Sequence, residues 1–475
     1  MKASSRARIR RTPKAPTGIV GFDEITGGGL PRGRTTLLVG GPGAGKTLFA
    51  LKFLVHGAAD CGEPGIFVAC EEVSRHVIAN AQAFDWSLGE LQRRKLFFLD
   101  ARPSLDLVQS GAFDLGGLLA ALQAKAAKMG ARRIVFDALD VVLALLPDEA
   151  ARKRELYRVH EWLTARGFTG VITAKAGCEE DQCVGEPPYV FMEFMLNCTV
   201  KLDHRMVRGV SQRSLTVKKY LGSAFEENEA PFLIGPRGLE VAVNSAPAEP
   251  PVSSERVSCG VARLDTMLGG GYYRGAFVLV TGSPGTAKTT LGGAFALAAL
   301  RRGERTMIVS LDSSGSELLR NLSSVAIDLE RHHRSGRLLM SSTRTVTGNA
   351  ETHLMRIKSL ALAHRARCIV VDPVSTLAAA GNERVSQGVL ERLTGWSKSL
   401  GITLVCTSLQ RESEEISDIG ALHAASLADT WVHLNHLVQD GERKRGIAII
   451  KSRGTAHSNR VCELMLRDTG VTVAE

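Results

Sequence analysis

The sequence predicts two tandem α/β domains, each a mostly parallel β-sheet covered by helices on both faces. Two observations predict this class: a glycine-rich loop ending in Lys-Thr occurs twice, and strand-like and helix-like segments alternate after each loop. The loops are GGPGAGKT at Gly40–Thr47 and GSPGTAKT at Gly282–Thr289, so their lysines lie 242 residues apart. A chain of 475 residues is too long for one hydrophobic core and suits two.

The offset of 242 residues also holds ahead of the loops. Asp23 and Gly29 in the first half have Asp265 and Gly271 as their counterparts in the second half. One loop motif can occur by chance, whereas two motifs with matching leaders at a single offset indicate a duplicated domain.

Strand and helix patterns follow each loop in the same order. Apolar, β-branched runs predict strands, and apolar residues at helical spacing predict helices. The predicted strands are Arg34–Val39, Gly65–Cys70, Arg133–Asp137, Thr169–Thr173, Phe277–Thr281, Thr306–Leu311, Cys368–Asp372 and Thr403–Ser408, and the predicted helices are Lys46–Gly57, Leu115–Met129, Thr289–Arg302 and Ala350–His364. A Pro- and Ser-rich linker at 244–256 separates a first domain, 17–243, from a second, 257–475, and a basic, disordered tail is expected at 1–16.

The composition indicates a soluble, cytoplasmic protein without membrane contact. Hydrophobic residues make up 44% of the chain and charged residues 23%, and no apolar run reaches the roughly 18 residues of a membrane span. The N-terminus lacks the apolar middle of a signal peptide. Nine cysteines fit a reducing compartment, and we interpret Cys178 and Cys183 as loop thiols rather than zinc ligands.

Each loop carries the residues of a triphosphate-binding P-loop. In such a loop the glycines let backbone N–H groups point at the phosphates, the lysine reaches the β- and γ-phosphates, and the next hydroxyl holds Mg²⁺. The predicted nucleotide contacts are Gly41, Gly43, Ala44, Gly45, Lys46, Thr47 and Leu48 in the first half and Gly285, Thr286, Ala287, Lys288, Thr289 and Thr290 in the second. The sequence therefore predicts two sites for a nucleoside triphosphate.

A carboxylate at a strand end predicts the position of Mg²⁺ in each half. Asp137 closes the run RRIVFD, and Asp372 closes the run CIVVD. A triphosphatase needs such a carboxylate to steer Mg²⁺ together with the P-loop hydroxyl, here that of Thr47 or Thr289. A helix N-cap or turn aspartate is the alternative interpretation for each.

The two halves differ at the candidate general base. Glu71 and Glu72 follow the strand after the first P-loop helix, whereas Asp312 and Ser313 occupy these positions in the second half. Loss of a positioned base lowers a rate by about 10²- to 10⁴-fold, so we expect slow hydrolysis in the second half.

The second P-loop also departs from the motif. Ala287 stands where the motif has glycine. Its methyl group costs about 1–2 kcal/mol if the backbone there is left-handed, and nothing if φ is negative.

Longer segments of the chain, which include both P-loops, are similar to those of a known family. GFDEITGGGLPRGRTTLLVGGPGAGKTLF, the Glu71-Glu72 pair, RLDTMLGGGYYRGAFVLVTGSPGTAKTTL and KSRGTAH occur in this order along the chain. Together they resemble the KaiC family, the tandem-domain ATPases and autokinases of the bacterial circadian oscillator, which have RecA-like domains. The resemblance spans about residues 17–472. It implies ATP as the nucleotide and a homo-hexamer of two stacked rings, with each ATP held between neighbouring protomers.

The resemblance also implies cations that act on ATP from the neighbouring protomer. The family carries them in a K-x-R-G segment, which is intact in the second half as Lys451, Arg453 and Gly454, followed by the nucleotide-contact candidate His457. The first half has VKKYLGSAF, which keeps Lys219 but has Leu221 in place of the arginine. We therefore expect Lys219 to compensate only partly. For Lys219, a basic residue at a surface strand end is the alternative interpretation.

The family's autokinase activity uses an adjacent Ser-Thr pair. That pair falls on Ala425 and Ser426, so Ser426 is the remaining candidate phosphoacceptor, with a helix-surface serine as the alternative. The family's C-terminal extension, which recruits an activator, has no counterpart after Glu475. We therefore do not expect a clock role that depends on that extension.

The leading hypothesis is a ring-forming ATPase that hydrolyses ATP mainly in its first domain, responds to a regulatory protein, and retains some Ser/Thr autokinase activity in its second. One alternative is a RecA- or DnaB-like, DNA-dependent motor, which the net charge of +10 would suit. We do not favour nucleic acid as a partner, because no interleaved aromatic stripe accompanies the basic tail. Another alternative is an assembly platform gated by ATP, with negligible turnover.

Overall fold

The protein divides into two compact units, Met1–Ser245 and Ala246–Glu475. A computed structural model describes residues 12–102, 115–176, 190–207, 210–235, 237–243, 252–342, 350–379, 383–410, 424–439 and 441–474. Cys178, Cys183, residues 1–11 of the predicted tail and residues 244–251 of the predicted linker lie outside these ranges.

The first unit is built on a nine-stranded sheet. Its strands are β1 (Lys14–Ala15), β2 (Leu30–Pro31), β3 (Thr35–Gly40), β4 (Gly65–Ala69), β5 (Leu96–Asp100), β6 (Arg133–Asp137), β7 (Thr169–Lys175), β8 (Cys198–Val207), β9 (Val210–Tyr220), β10 (Ala230–Gly235) and β11 (Gly238–Val241). Its helices are α1 (Phe22–Ile25), α2 (Lys46–Ala59), α3 (Ser74–Ala81), α4 (Leu88–Arg94), α5 (Gly116–Met129), α6 (Leu139–Leu143), α7 (Glu149–Ala165) and α8 (Val190–Met195). The sheet order is β11-β10-β9-β8-β3-β7-β6-β4-β5, and β1 pairs with β2 in a separate ribbon.

The strand order positions the P-loop at the middle of the sheet. Strand β3 lies between β7 and β8 and is parallel to both, and the strands from β8 to β5 form the parallel part. Strands β9, β10 and β11 extend the sheet in antiparallel fashion. The carboxyl ends of the parallel strands therefore meet at one edge, where ligands bind in open α/β sheets.

Hydrophobic cores cover both faces of this sheet. Leu38 on β3 packs in a cluster with Phe49 and Phe53 of α2, whereas its neighbour Leu37 belongs to a second cluster with Leu122 of α5. Successive strand residues point to opposite faces, so fully apolar strands such as β3 fill both layers. The result is an α/β/α sandwich.

The second unit repeats this architecture. Its strands are β12 (Arg256–Val257), β13 (Tyr272–Tyr273), β14 (Phe277–Gly282), β15 (Thr306–Ser310), β16 (Leu338–Ser342), β17 (Cys368–Asp372), β18 (Thr403–Leu409), β19 (Thr430–Gln439), β20 (Glu442–Ser452), β21 (Cys462–Arg467) and β22 (Gly470–Val473). Its helices are α9 (Ala262–Met267), α10 (Lys288–Arg301), α11 (Gly315–Ser323), α12 (Glu330–Arg334), α13 (Ala350–His364), α14 (Ser375–Ala379) and α15 (Glu383–Ser399). The sheet order, β16-β15-β17-β18-β14-β19-β20-β21-β22, is that of the first unit strand for strand.

The predicted fold class is confirmed, and the predicted strands and helices are present with ends that shift by one or two residues. The sequence did not predict β5, β16, the parallel strands β8 and β19, or the antiparallel strands at one sheet edge. Lys14 and Ala15, which the sequence analysis placed in the disordered tail, form β1, and Ala15 is fully buried. Within the described residues, no helix combines the length and apolarity needed to cross a bilayer.

Candidate nucleotide-binding sites

The first P-loop connects the end of β3 to the start of α2. Gly43 and Gly45 have φ angles of 68° and 98°, the left-handed region that glycine adopts without a steric penalty. The Lys46 ammonium donates hydrogen bonds to the carbonyl oxygens of Gly40 at 2.7 Å and Gly41 at 2.9 Å. The lysine thus lies across the loop, in the position needed to meet the β- and γ-phosphates of a nucleotide.

Asp137 lies beside the P-loop threonine. The Thr47 hydroxyl donates to Asp137 Oδ2 at 3.0 Å, and the Thr173 hydroxyl donates to Asp137 Oδ1 at 2.7 Å. Burial raises the pKa of Asp137, and these two hydrogen bonds oppose the rise. A hydroxyl and a carboxylate oxygen are ligands that suit Mg²⁺ bound chiefly through phosphates, so the residues present fit this ion.

The candidate base Glu71 forms an ion pair across the site. Its Oε1 lies 2.5 Å from Nζ of Lys175, a residue at the end of β7. The backbone N–H of Lys175 donates to Asp140 Oδ2 at 3.1 Å. Glu72 has a different partner, Asn80, which donates to its Oε1 at 3.5 Å. The structure therefore brings Glu71 together with the P-loop, along with two charged residues that were not predicted.

The second unit builds the same P-loop framework. Lys288 donates to the carbonyl oxygens of Gly282 and Ser283, both at 2.7 Å. The Thr289 hydroxyl donates to Asp372 Oδ2 at 2.7 Å, and the Thr407 hydroxyl donates to Asp372 Oδ1. Burial raises the pKa of Asp372, as it does that of Asp137. A nucleotide with Mg²⁺ therefore fits both P-loops.

The two sites diverge around the candidate base. Ala69 pairs with Asp137, and Ser310 pairs with Asp372, so the strand register aligns Glu71 with Asp312, the counterpart that the sequence comparison of the two halves predicts. Asp312 accepts a hydrogen bond from the Ser313 hydroxyl at 3.0 Å rather than pairing with a cation in the described part of the chain. Leu409 ends β18 where Lys175 ends β7, and its N–H bonds the Ser375 hydroxyl at 3.2 Å.

Ala287 adopts the left-handed conformation, which is the strained one of the two alternatives that the sequence allowed. Its φ is 77° and its ψ is 27°, which is left-handed and matches Gly45 in the first unit. The methyl group therefore carries a steric cost that glycine would avoid.

We expect Ala287→Gly to stabilise the second unit by about 1 kcal/mol, because it relieves this strain. The measurement is the denaturant midpoint of the second unit's unfolding transition. Gly45→Ala is the matched substitution in the first unit and should destabilise it, since a Cβ there would lie 3.3 Å from Ile234 Cδ1 at a φ of 98°. A lower midpoint for Ala287→Gly would contradict this prediction.

The candidate cations lie away from the P-loop of their own unit. Lys219 pairs with Thr199, and Thr199 pairs with Leu37 near the start of β3, whereas the P-loop follows the end of that strand. Lys219 Nζ donates to the carbonyl oxygens of Glu193 at 2.8 Å and Phe194 at 3.2 Å. It therefore does not contact the phosphate site of its own domain.

Lys451 and Arg453 have the same placement in the second unit. Lys451 donates to the carbonyl oxygens of Ala425 at 3.0 Å and Ser426 at 3.2 Å, and Arg453 donates to that of Ser426 at 2.7 Å. The candidate phosphoacceptor Ser426 is exposed. The structure brings it together with these cations and not with Lys288.

The segment after Arg453 is fixed to the start of the second unit. Tyr273 donates to the carbonyl oxygen of Gly454 at 2.9 Å, and Arg256 donates to the Thr455 hydroxyl at 2.6 Å. The candidate nucleotide contact His457 lies in this segment, half-buried, with Nδ1 3.2 Å from the Ser458 carbonyl oxygen.

Several predicted nucleotide contacts can act only through their backbone. Ala44 is fully buried, and Leu48 packs against the core that contains Phe49. The Thr286 hydroxyl is buried and donates to the Ser283 carbonyl oxygen at 2.7 Å. Gly285 has a φ of 80°, and its carbonyl oxygen accepts a hydrogen bond from Arg445. Thr290 differs from these residues, because its side chain is only half-buried on α10.

Lys175, Asp140, Thr173 and Thr407 are site residues that the sequence analysis missed. Lys175 and Thr173 lie on β7, and Thr407 lies on β18, the strands next to the P-loop strands. A polar residue at the carboxyl end of each predicted strand was the available signal, but its proximity to Glu71 or Asp137 depends on the strand order.

Comparison with known proteins adds an independent finding. A family model described as the KaiC ATPase matches residues 15–246 and again residues 257–475. The chain is 39% identical over 470 residues to Circadian clock protein KaiC2 of Synechocystis sp., covering 97% of this chain and 81% of that protein. It is 32% identical over 472 residues to Circadian clock oscillator protein KaiC of Parathermosynechococcus lividus, covering 99% and 87% of the two chains. The protein of the same name from Synechococcus elongatus is 33% identical over 465 residues, with coverage of 97% and 89%.

Proposed function

The chain belongs to the KaiC family of ATPases, and from this premise we propose that it binds ATP with Mg²⁺ in both domains and hydrolyses it mainly in the first. The observation that carries this proposal is the difference between two otherwise matching sites. Both have a P-loop lysine and a threonine bonded to a strand-end aspartate. Only the first has the Glu71-Glu72 pair, which is where a water must be oriented and deprotonated.

The residues of the first site divide the work of hydrolysis. Lys46 neutralises charge on the transferred phosphate, and the loop N–H groups orient it. Thr47 and Asp137 would hold Mg²⁺, which supplies charge neutralisation at the phosphates when bound. Glu71 orients the attacking water and accepts its proton, and Glu72 supports it as the adjacent carboxylate.

The second site lacks this acid pair and serves as a retained ATP site. Asp312 is one methylene shorter than Glu71, and its neighbour is Ser313 rather than a second carboxylate. A ligand that binds the assembled state more tightly stabilises that state by mass action. We therefore assign the second domain to assembly, with turnover at a lower rate.

Assembly into a ring would complete each site from the neighbouring protomer. Lys219, Lys451 and Arg453 lie away from the P-loops of their own units, as a cation that acts in trans requires. A self-assembled homo-hexamer, as the family resemblance implies, would place each ATP beside such a cation. A regulatory protein would act on this assembly in the cytoplasm.

Residual autokinase activity is the second candidate function, and the exposure of Ser426 beside Lys451 and Arg453 favours it. In such an assembly the γ-phosphate donor would be the second-domain site of a neighbouring protomer. Transfer would leave a phosphoserine and ADP. The weak base at Asp312 predicts that this reaction is slow.

Lys46→Ala and Lys288→Ala test the division between the domains. We expect the wild type to retain two nucleotides per chain and each variant to retain one, because the P-loop lysine is the main cation at each triphosphate. Lys288→Ala should also weaken assembly, which size analysis measures. Intact-mass analysis of the same ATP·Mg²⁺ samples should show a gain of about 80 Da, one phosphoryl group, that Ser426→Ala removes.

Retention of one nucleotide by a protein that carries both Lys46→Ala and Lys288→Ala would be incompatible with the proposal. Full assembly of Lys288→Ala without a second nucleotide would refute the role given to the second domain. The lack of any phosphorylated species would remove the autokinase proposal and leave the ATPase proposal intact.

A further inference from the structure

We propose that Lys175 is a γ-phosphate-binding residue of the first site and that it holds Glu71 in an ion pair until ATP displaces it. This inference deepens the proposed function and rests on it for the identity of the ligand. In this role Lys175 is a cation of the same chain that distinguishes ATP from ADP in the first domain. The proposal rests on the geometry around the end of β7.

The backbone of Lys175 lies next to the P-loop. It pairs with Gly40, the last residue of β3, and the following N–H, that of Ala176, donates to the Gly40 carbonyl oxygen at 3.1 Å. The same carbonyl oxygen accepts the ammonium of Lys46 at 2.7 Å. The Lys175 backbone is therefore fixed at the base of the phosphate-binding loop.

The Lys175 side chain crosses the catalytic edge of the sheet. Strand β6 lies between β7 and β4, and Glu71 follows the end of β4. To reach Glu71 Oε1 at 2.5 Å, the ammonium passes over the end of β6, which carries Asp137. This is the region in which Thr47 and Asp137 would hold Mg²⁺ against the terminal phosphates.

The local charges favour an exchange of partners. Two lysines, Lys46 and Lys175, share this edge with three carboxylates, those of Glu71, Asp137 and Asp140. Lys175 and the three carboxylates are all close enough to act electrostatically on Lys46. A γ-phosphate adds negative charge close to Lys175 and competes with Glu71 for its ammonium. Once Lys175 turns to the phosphate, the Glu71 carboxylate is free to accept a proton from water.

The existing pair is suited to such an exchange. Side-chain exposure is 48% for Lys175 and 49% for Glu71. An ion pair this exposed contributes little to folding stability, so its loss costs the domain little. Asp140 supports the arrangement by accepting the Lys175 backbone N–H, and its other oxygen has no hydrogen-bond partner among the described residues.

The equivalent strand end in the second domain has neither this lysine nor the aspartate that accepts its backbone N–H. Leu409 replaces Lys175, and Ser375 replaces Asp140 as the acceptor of the strand-end N–H. Lys175→Leu is therefore a suitable test substitution, because the equivalent strand end of the second domain already has a leucine.

The test measures nucleotide binding to the first site alone, in full-length protein that carries Lys288→Ala. The probes are ADP·Mg²⁺ and a non-hydrolysable ATP analogue with Mg²⁺. We expect Lys175→Leu to weaken analogue binding by about 10- to 100-fold, the worth of one charge-assisted hydrogen bond. Binding of ADP should change by less than about threefold. Lys175→Arg should preserve most of the preference for the analogue.

Glu71→Gln separates competition from simple packing. It removes the competitor for Lys175 and should tighten analogue binding, and this gain should shrink in the Lys175→Leu background. Equal losses for ADP and the analogue, or no loss for either, would overturn the inference. Binding needs no turnover, so a wild type that discriminates between the two nucleotides without hydrolysing ATP would refute the proposed activity and leave Lys175 in its role.

Discussion

Glu71→Gln combined with Glu72→Gln should lower ATP turnover by about 10²- to 10⁴-fold, the usual contribution of a positioned general base. The amides keep the size of the side chains but cannot accept a proton from water. Steady-state phosphate release by the assembled protein is the measurement. We expect Glu71 to account for most of this loss, because its carboxylate pairs with Lys175 at the end of β7, whereas Glu72 contacts Asn80.

The second domain supplies the comparison for this variant. Asp312→Asn removes the aligned carboxylate there and should change total turnover by less than about twofold, because that site lacks a positioned base. Nucleotide retention should remain at two per chain in both variants. If the double glutamine variant kept most of its turnover, the assignment of hydrolysis to the first domain would be wrong.

The parts of the fold that local sequence determines were predictable. A P-loop is recognisable because its chemistry requires particular residues at consecutive positions, and Asp137 and Asp372 are the last residues of buried strands. Comparison of the two halves then aligned Glu71 with Asp312, and the strand register agrees with that alignment.

The remaining parts depend on contacts between distant segments. Lys175 and Glu71 are 104 residues apart and meet only because β7, β6 and β4 are neighbours in the sheet. The position of Lys219 relative to its P-loop likewise depends on the pairing of β9 with β8. The sequence could not show whether Ala287 is strained, because the residue type alone does not determine its φ angle.

Leu221→Arg should raise ATP turnover in the first domain by at least about tenfold. An arginine that stabilises the transferred phosphate contributes about 10³- to 10⁵-fold in NTPases that use one, and under our proposal Lys219 supplies part of this effect. Leu221 is 45% exposed, so a longer charged side chain can be accommodated without disturbing the core.

The backbone already has the geometry that this arginine needs. The N–H of Leu221 donates to the Asn197 carbonyl oxygen at 2.9 Å, and that of Arg453 donates to the Asp429 carbonyl oxygen at 2.8 Å. The two positions are therefore equivalent in the repeat. Arg453 lies 3.8 Å from the Asp429 carboxylate, whereas Asn197 has no charge to hold an introduced arginine back.

The increase must depend on assembly, because position 221 is remote from the P-loop of its own unit. Turnover per chain should therefore rise with protein concentration over the range in which size analysis detects the ring, and dilution should abolish the gain. Leu221→Gln, which is polar and of similar size but uncharged, should give no increase. A Leu221→Arg protein that assembles normally and shows wild-type turnover would contradict a cation acting in trans at this site. Equal stimulation in dissociated chains would instead require the introduced guanidinium to reach the nucleotide of its own chain, which the pairing of β9 with β8 opposes.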